Sequence, residues 1–284
     1  MNRHARFLPT RLALGLLAAI LLLPVCVTLV YSFFSPEEIR AYMATRNNFS
    51  AGTLMEIRLI PREVSLMQYY RILLTDQSIL HGFLNSVLYT AAIIGGQVLV
   101  LPPLAYGLSC FRFRGRNLIA FCIVLLMVLP FQVTMVPNVL TLRALGLLNT
   151  RWAIILPMIA APFSAFLLRQ YMLSIPGELI EAAQIDSAGP LRCFTRIVFP
   201  LSLPVIGTMV ALSFAECWNL AEQPLIYLTS RTDLQPLSVT FSTLTNRITG
   251  IEFAGAALFI LPSLLVYLLF QEDIMAGIQI AGIK

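Results

Sequence analysis

Charged side chains are scarce in this chain. Only 12% of its 284 residues are Asp, Glu, Lys or Arg and 58% are hydrophobic, whereas about 25% are charged in an ordinary soluble domain. A water-soluble fold could not hide so much apolar surface from water. The composition therefore excludes an ordinary soluble domain and predicts an integral membrane protein.

Motifs for nucleotide and metal chemistry are missing as well. The sequence contains no GxxxxGK[ST] phosphate-binding loop, so we expect neither ATP hydrolysis nor a catalytic residue in this chain. Its five cysteines show neither a disulfide framework nor metal-ligand spacing, and His4 and His81 are isolated. We therefore expect the chain itself to bind no metal and no cofactor.

The hydrophobic residues form six charge-poor runs, which predicts an all-α, polytopic protein with six transmembrane helices in a single domain, residues 1–284. The first run is too long for a cleaved signal peptide and indicates a retained anchor. Prolines inside later runs predict kinked, cavity-lining helices. Apolar residues at helical spacing over 66–74 predict a short interfacial helix before the second span. The predicted spans cover about residues 12–34, 83–111, 117–142, 152–173, 197–222 and 253–271, with an external loop at 35–82 and a cytoplasmic loop at 174–196.

Arginines set the predicted orientation, because cytoplasmic loops of membrane proteins are enriched in Lys and Arg. Arginines here flank the first run and fill the turn after the second: Arg3, Arg6, Arg11, Arg112, Arg114 and Arg116. Both termini and the 174–196 loop are therefore predicted to be cytoplasmic. The net charge of +5 reflects this bias. Because no basic helix is interleaved with aromatic residues, we expect no nucleic-acid partner.

A polar insertion over residues 174–204 interrupts the apolar runs: SIPGELIEAAQIDSAGPLRCFTRIVFPLSLP. Ser174 is predicted to cap a helix with Pro176 in its first turn, and Gly189–Pro190 is predicted to stop that helix and start a second one. The two small alanines at its centre would let a partner protein approach the backbone closely. The insertion therefore predicts two short helices that meet at a bend and dock onto a partner.

This insertion resembles the EAA loop of permease subunits of ATP-binding cassette importers, whose pattern is EAA, two variable residues, Asp, Gly, Ala. The resemblance implies that the loop couples the permease to its ATPase. Ser187 departs from the family's usual glycine, and Gly189 is expected to supply the flexible point instead. The residues implied in coupling are Glu181, Ala182, Ala183, Asp186, Ser187, Ala188 and Gly189.

The resemblance covers roughly residues 83–284. The stretch LPMIAAPFSAFLLRQYMLSIPGELIEAA, the Trp218-Asn219 pair and the ending GIQIAGIK are similar to the smaller permease of carbohydrate importers of the maltose type. The resemblance implies a prokaryotic inner-membrane subunit that forms half of a pathway for a sugar, oligosaccharide or polyol and works by alternating access. The implied partners are a second homologous permease, two ATPase subunits that bind ATP and Mg, an external solute-binding protein and membrane lipid.

The segment AECWNLAEQP, near the outer end of the fifth predicted span, combines an aromatic ring with carboxylates and amides. A sugar can stack its apolar face on an aromatic ring and exchange hydrogen bonds with such groups. The candidates for the solute pathway are Trp218, Asn219, Glu216, Glu222 and the mid-span amide Gln132, with Gln97 as a similar amide. The alternative is that Trp218 belongs to the interfacial aromatic belt and that the polar side chains bond to neighbouring helices.

Other functions stay open at this point. The solute of such a permease could instead be a polyamine, an amino acid or a phosphodiester. A carrier driven by an ion gradient would be expected to place paired charges near the membrane midplane and to need no ATPase. A membrane-embedded scaffold or sensor is the third class.

Overall fold

The computed structural model describes residues 8–47, 60–75, 77–245 and 251–282. Over these residues the chain is helical and contains no strand. The helices are α1 Leu8–Tyr31, α2 Pro36–Asn47, α3 Met67–Tyr70, α4 Gln77–Cys110, α5 Arg116–Val128, α6 Phe131–Ala144, α7 Trp152–Ile159, α8 Pro162–Leu173, α9 Gly177–Ile185, α10 Pro190–Cys193, α11 Phe199–Leu201, α12 Leu203–Trp218, α13 Glu222–Tyr227, α14 Leu237–Thr245 and α15 Glu252–Gly282.

Four of the described helical segments are long and apolar enough to cross a membrane: Ala13–Tyr31, Gln77–Cys110, Trp152–Leu173 and Glu252–Asp273. Two bent pairs meet the same criteria together, α5 with α6 at 110° and Pro190–Leu201 with α12 at 69°. The number of spans is therefore four, or up to six if each bent pair is one span. The predicted spans fall on these segments, and their number, six, stays a prediction.

Proline explains the sharpest of these bends. Pro130 separates α5 from α6, and the preceding Leu129 has an extended backbone, with φ −69° and ψ 126°. A residue before proline is disfavoured in the helical region because the proline ring clashes with it. Pro162 and Pro204 instead lie in the first turns of α8 and α12, where a missing N–H leaves no helical hydrogen bond unmade. Some prolines of the apolar runs therefore mark turns of the chain, whereas others, such as Pro102 and Pro103, lie inside a continuous helix.

The chain divides into two compact units, Met1–Leu80 with Thr240–Pro262 and His81–Val239 with Ser263–Lys284. In the first unit, the predicted interfacial helix is present as α3 and a following π-helical turn. The Gln68 side chain of α3 is fully buried. Its amide donates to the carbonyls of Tyr31 and Phe34 at 2.9 and 2.8 Å and accepts from the Ala254 N–H at 3.2 Å. One buried amide therefore satisfies backbone groups at the end of α1 and the start of α15.

The second unit is built around an apolar core contributed mainly by α4, α8 and α12. Its buried members are Leu101, Ala105, Tyr106, Ala165, Leu168, Met172, Val198, Val205, Ile206 and Met209. Two glycines of α4 and α12 lie against side chains of α7 and α15. A Cβ built on Gly96 of α4 would lie 2.5 Å from Cδ1 of Ile159, and one on Gly207 of α12 would lie 2.5 Å from an Asp273 carboxylate oxygen. A larger residue at either position would therefore force the facing side chain to move.

Hydrogen bonds from the N-terminal half of α4 hold the segment that follows α13. The Asn85 amide donates to the carbonyls of Asp233 and Gln235 at 2.8 and 3.2 Å, and the Tyr89 hydroxyl donates to the Leu234 carbonyl at 2.8 Å. The Ser86 hydroxyl accepts from the N–H of the first residue of α14 at 2.8 Å. This polar segment is therefore ordered by side chains of a neighbouring helix.

Candidate functional site: the EAA segment and a membrane cavity

The EAA segment consists of α9 and α10, residues 177–193, and confirms the prediction of two short helices that meet at a bend. Helix α9 begins after Pro176, which occupies the N-cap position. The predicted capping role of Ser174 is wrong, because its hydroxyl donates to the Tyr171 carbonyl at 2.7 Å and closes the preceding helix α8. Glu178 lies in the first turn of α9, where the helix dipole favours a negative charge.

The bend after α9 is a Schellman turn with serine at its left-handed position. The Ala188 N–H donates to the Ala183 carbonyl at 2.9 Å and the Ser187 N–H donates to the Gln184 carbonyl at 3.0 Å, which is the bond pair that defines this motif. Ser187 has φ +58°, a conformation that glycine adopts at little cost. Gly189 has an ordinary extended backbone, φ −71° and ψ 165°. The backbone turn expected at Gly189 is therefore made by Ser187.

The inner side of the EAA segment is attached to the core of the second unit. Ile180 of α9 and Phe194, just after α10, pack against the core, and the Tyr106 ring of α4 lies 5.2 Å from the Phe194 ring. The Tyr106 hydroxyl also donates to the Pro190 carbonyl at 3.2 Å. The EAA segment is therefore in direct contact with the long helix α4.

The outer side of the same segment carries exposed apolar side chains. Leu179, Ile185 and Leu191 are 45%, 84% and 75% exposed. Among the EAA residues, Ala183 and Ala188 are half-buried, whereas five are exposed: Glu181, Ala182, Asp186, Ser187 and Gly189. Large apolar side chains exposed on a polar segment are typical of a surface that contacts a protein or the membrane. The geometry thus combines an anchored inner side with an open, partly apolar outer side.

A cavity of about 500 Å³ lies where the breaks between α5 and α6 and between α7 and α8 face α12 and α13. Apolar residues and two phenylalanine rings, Phe131 and Phe163, form much of its wall. Its polar lining comes from four of the surrounding helices and consists of Thr134, Asn138, Ser164, Ser213, Glu216, Gln223 and Tyr227. Pro130 and Pro162 stand at these two breaks, whereas the other prolines of the same runs, Pro102, Pro103, Pro137 and Pro157, lie inside helices.

Of the predicted pathway residues, only Glu216 lines this cavity. Trp218 is 2% exposed, stacks on Phe214 with ring centroids 5.5 Å apart and meets Phe83 edge-on at 5.8 Å. It therefore lies neither in an exposed belt nor against the cavity in this conformation. The Asn219 amide donates to the Ala215 carbonyl at 2.8 Å.

The remaining predicted residues also lie away from the cavity wall. Glu222 is exposed at the start of α13, and Gln132 is exposed near the start of α6. The Gln97 amide donates to the Met158 carbonyl at 2.8 Å, which is the helix-to-helix bond considered as its alternative role. A pathway role for Trp218, Asn219, Glu222 and Gln132 stays a prediction.

Sequence reasoning missed most of the polar cavity wall. Asn138 and Thr134 lie one turn apart on α6, inside a predicted span, and a polar residue in such a run is itself a signal of a function. Tyr227 carried no comparable signal, because tyrosine is common at membrane interfaces. Its position becomes informative only when the turn into α13 brings it next to Asn138.

The family of binding-protein-dependent transport system inner membrane components has a model that matches residues 103–271. The chain belongs to this family. The permease is thus a multi-pass membrane component of a transport system, and the matched range contains both the EAA segment and every residue of the cavity wall.

Named relatives transport different solutes. The permease is 33% identical to the arabinooligosaccharides transport system permease protein AraQ of Halalkalibacterium halodurans, over 71% of this chain and 73% of the relative. It is 36% identical to the sn-glycerol-3-phosphate transport system permease protein UgpE of Shigella flexneri, over 51% of this chain and 52% of the relative. Its fold aligns with a chain of a bacterial ABC transporter involved in the import of the acidic polysaccharide alginate, with a TM-score of 0.80 and 24% identity, over 96% of this chain and 98% of that one.

Proposed function

We propose that the permease forms half of the membrane pathway of an ATP-driven importer for a sugar, oligosaccharide or polyol. The other half is a second, homologous permease, and an external solute-binding protein delivers the solute. Two separate ATPase subunits bind ATP and Mg and hydrolyse the ATP, so this chain is not itself the enzyme. Family membership and the name of the arabinooligosaccharide relative support this reading.

The observation that carries the proposal is the two-sided EAA segment. Its inner side is held by Ile180 and by the Tyr106–Pro190 hydrogen bond, while Ile185 and Leu191 remain exposed on its outer side. Exposed apolar side chains also occur in other turns, such as Leu145 after α6, so the attachment of the inner side to the core is what distinguishes this segment. An ATPase subunit that covers the outer side and moves would pull directly on the core of the membrane unit.

The mechanism follows from this connection. Closure of the ATPase pair around ATP would shift residues Glu181 to Gly189, and the contacts of Tyr106 would pass that shift to α4. The helices around the core would then change from an inward-open to an outward-open arrangement. The proline breaks beside the cavity are the places where such helices can bend without losing regular hydrogen bonds.

This function requires the EAA segment to face the cytoplasm, with both termini on the same side, in the inner membrane of a prokaryote. Single cysteines test the orientation, because a membrane-impermeant thiol reagent reaches only external sites in intact cells. A cysteine at Val64, which is exposed in the predicted external loop, should react in intact cells. Cysteines at Arg114 and Gln184 should react only after permeabilisation, and labelling of either in intact cells would overturn the orientation.

Docking of the ATPase is tested by placing a charge on the outer side of the segment. Ile185→Lys should lower the amount of ATPase that co-purifies with the permease by about tenfold, since an unpaired charge would have to be buried at the contact. Ala183→Arg should act in the same direction through crowding of a half-buried position. The matched control is Leu145→Lys, because Leu145 is also apolar and exposed but lies in the turn after α6. Full ATPase recovery and normal uptake by Ile185→Lys at unchanged abundance would refute the coupling role.

A further inference from the structure

The turn between α4 and α5 forms a basic pocket, which we call the turn pocket. It lies between the membrane-length helix Gln77–Cys110 and the first residue of α5, and therefore at one surface of the membrane. Its volume is about 410 Å³, and no Asp or Glu is among the described residues that line it. The lining residues are Arg112, Phe113, Gly115, Arg116, Asn117 and Leu118. The turn pocket thus carries two positive charges and no negative one.

The arginines around the turn pocket have no counter-ion. The Arg116 Nη1 donates to the Phe111 carbonyl at 3.2 Å, and Arg169 of α8 lies close enough to experience the like charge of Arg116. Both side chains are half-buried, and the Nε atom of each is buried without a hydrogen-bond partner. Neither forms an ion pair within the described part of the chain. Two partly desolvated guanidinium groups repel each other, so an anion at their accessible ends would offset that repulsion.

The start of α5 favours the same kind of ligand. No side chain caps this helix, and its first turn contains no acidic residue. The N–H groups of Asn117 and Leu118, two residues of the pocket wall, have no acceptor among the described residues. Free N–H groups at a helix start favour negative charge and are suited to phosphate. The arginines and the helix start therefore point to a phosphate group as the ligand.

The exposed side of α5 indicates that this phosphate belongs to a lipid. An apolar stripe at helical spacing leads away from the turn pocket and consists of the exposed residues Leu118, Phe121, Leu125 and Val128. Over these residues the helix rises about 15 Å, which is half of a hydrocarbon core of roughly 30 Å. A lipid with its headgroup in the turn pocket would lay an acyl chain along this stripe through one leaflet. A soluble phosphate would leave the stripe uncovered.

We propose that the turn pocket binds the phosphate of an anionic phospholipid, that Arg112 and Arg116 hold this phosphate with added charge from Arg169, and that the stripe on α5 contacts an acyl chain. The inference goes beyond the proposed import function and depends on neither the solute nor the ATPase. Basic pockets beside membrane helices are suited to such headgroups. The Phe111 ring lies 5.3 Å from the Tyr106 ring, so a bound lipid would brace the end of α4 that contacts the EAA segment.

Quenching of a fluorophore beside the turn pocket measures this binding. Ile119 is exposed and does not line the pocket, so Ile119→Cys can carry a bimane group without removing a wall residue. The exposed or half-buried cysteines, Cys26, Cys110 and Cys122, are replaced by alanine. The signal of the same complex without Ile119→Cys is subtracted.

The assembled complex is placed in phosphatidylcholine nanodiscs that contain a small fraction of nitroxide-labelled lipid. Labelled phosphatidylglycerol should quench at least about threefold more than labelled phosphatidylcholine at equal content, because each arginine near the membrane surface favours an anionic lipid. Equal quenching by the two lipids would overturn the proposal.

Variants of the arginines separate the turn pocket from general surface charge. Arg112→Gln and Arg116→Gln should each remove more than about half of the excess quenching, and Arg112→Lys should retain most of it, since lysine also binds phosphate. The matched control is Arg114→Gln, because Arg114 is exposed in the same turn but does not line the pocket. An equal loss in Arg112→Gln and Arg114→Gln would show a general attraction to the basic turn and would refute the site.

Two further arms identify the source of the phosphate. Millimolar inorganic phosphate at constant ionic strength should leave the excess quenching unchanged. If it abolished the excess, the turn pocket would be a site for soluble phosphate and the lipid assignment would be wrong. An excess that appeared only after removal of the ATPase would mean that the ATPase covers the turn pocket, which would also refute the proposal.

Discussion

The Tyr106 hydroxyl of α4 donates a 3.2 Å hydrogen bond to the carbonyl of Pro190, the first residue of α10. Proline at the start of a helix has no N–H to offer, but its carbonyl remains an acceptor. The same Tyr106 ring packs against Phe194 and is buried. One side chain thus connects a long membrane helix with the segment proposed to receive the ATPase.

Tyr106→Phe should weaken coupling without unfolding the permease. The change keeps the ring contact and removes only the hydroxyl, a loss of about 1 kcal/mol for a neutral hydrogen bond. The ratio of solute-stimulated to basal ATP hydrolysis in the assembled complex should fall, while basal hydrolysis is retained. Tyr171→Phe is the matched control, because its hydroxyl bonds to the Leu201 carbonyl at 2.9 Å, outside the EAA segment. An equal fall in both variants would show that the effect is not specific to Pro190.

Ser187→Gly should stabilise the bend after α9. A non-glycine residue at φ +58° carries a steric penalty of about 1 kcal/mol, which glycine avoids. Hydrogen exchange of the Ser187 and Ala188 amides, which close the turn, should become slower in this variant, and Ser187→Val should make it faster.

Gly189→Ala gives the contrast for that experiment. Gly189 has an extended backbone, and a Cβ built there meets none of the described atoms within 4 Å. We expect exchange in the turn to change little in Gly189→Ala. A larger effect there than in the Ser187 variants would contradict the placement of the left-handed residue.

Gly96→Ala should destabilise the membrane unit. The new methyl group would lie 2.5 and 2.7 Å from Cδ1 and Cγ1 of Ile159, so α4 and α7 would have to separate or Ile159 would have to leave its rotamer. Such overpacking typically costs about 1–3 kcal/mol. The adjacent Gly95→Ala is the control, because its Cβ would meet no described atom within 4 Å and alanine is the better helix former by up to about 1 kcal/mol. Thermal unfolding in detergent should show a lower midpoint for Gly96→Ala than for Gly95→Ala.

Acid should break the exposed ion pair between Arg231 and Asp233. Two hydrogen bonds of 2.8 Å from the Arg231 guanidinium lower the pKa of the Asp233 carboxyl below its ordinary value. The folded-state pKa is thus below the unfolded one, so any stabilisation is present above the unfolded pKa and is lost as the pH falls through the folded value. Carboxyl NMR titration should show the low pKa, and Arg231→Gln should raise it. An unchanged pKa in that variant would mean that the pair does not form in solution.

The long helices and the two-helix EAA segment could be predicted from the sequence because their causes are local. An apolar run longer than the membrane core selects a helix, since no water is available to bond an exposed backbone. The restart at Pro190 is likewise local, because proline favours the first turn of a helix. Ser174 shows the limit of such reasoning. A serine that lies between two helices can cap the end of one or the start of the other. In the structure the Ser174 hydroxyl bonds to the Tyr171 carbonyl, so it caps the end of α8.

The residues of the cavity wall could be predicted only in part. Glu216 was found because a carboxyl group in an apolar run is conspicuous, whereas Trp218 was selected for its chemistry and lies buried between Phe214 and Phe83. Which side of α12 faces open space depends on how the neighbouring helices pack, and that is not a property of α12 itself. For the same reason the sequence did not predict that Asn138 and Tyr227 are neighbours. They are far apart in the chain and come together through the turns after α6 and α12.

Membrane character, the positions of the apolar helices and the EAA segment were therefore determined by the sequence itself, because hydrophobicity, proline and charge act over a few neighbouring residues. The bond from Tyr106 to Pro190 and the cavity wall were decided only by the tertiary structure. Each of these depends on the distance between groups that packing brings together. A sequence specifies such distances only through the whole fold, since no single segment contains both partners of the contact.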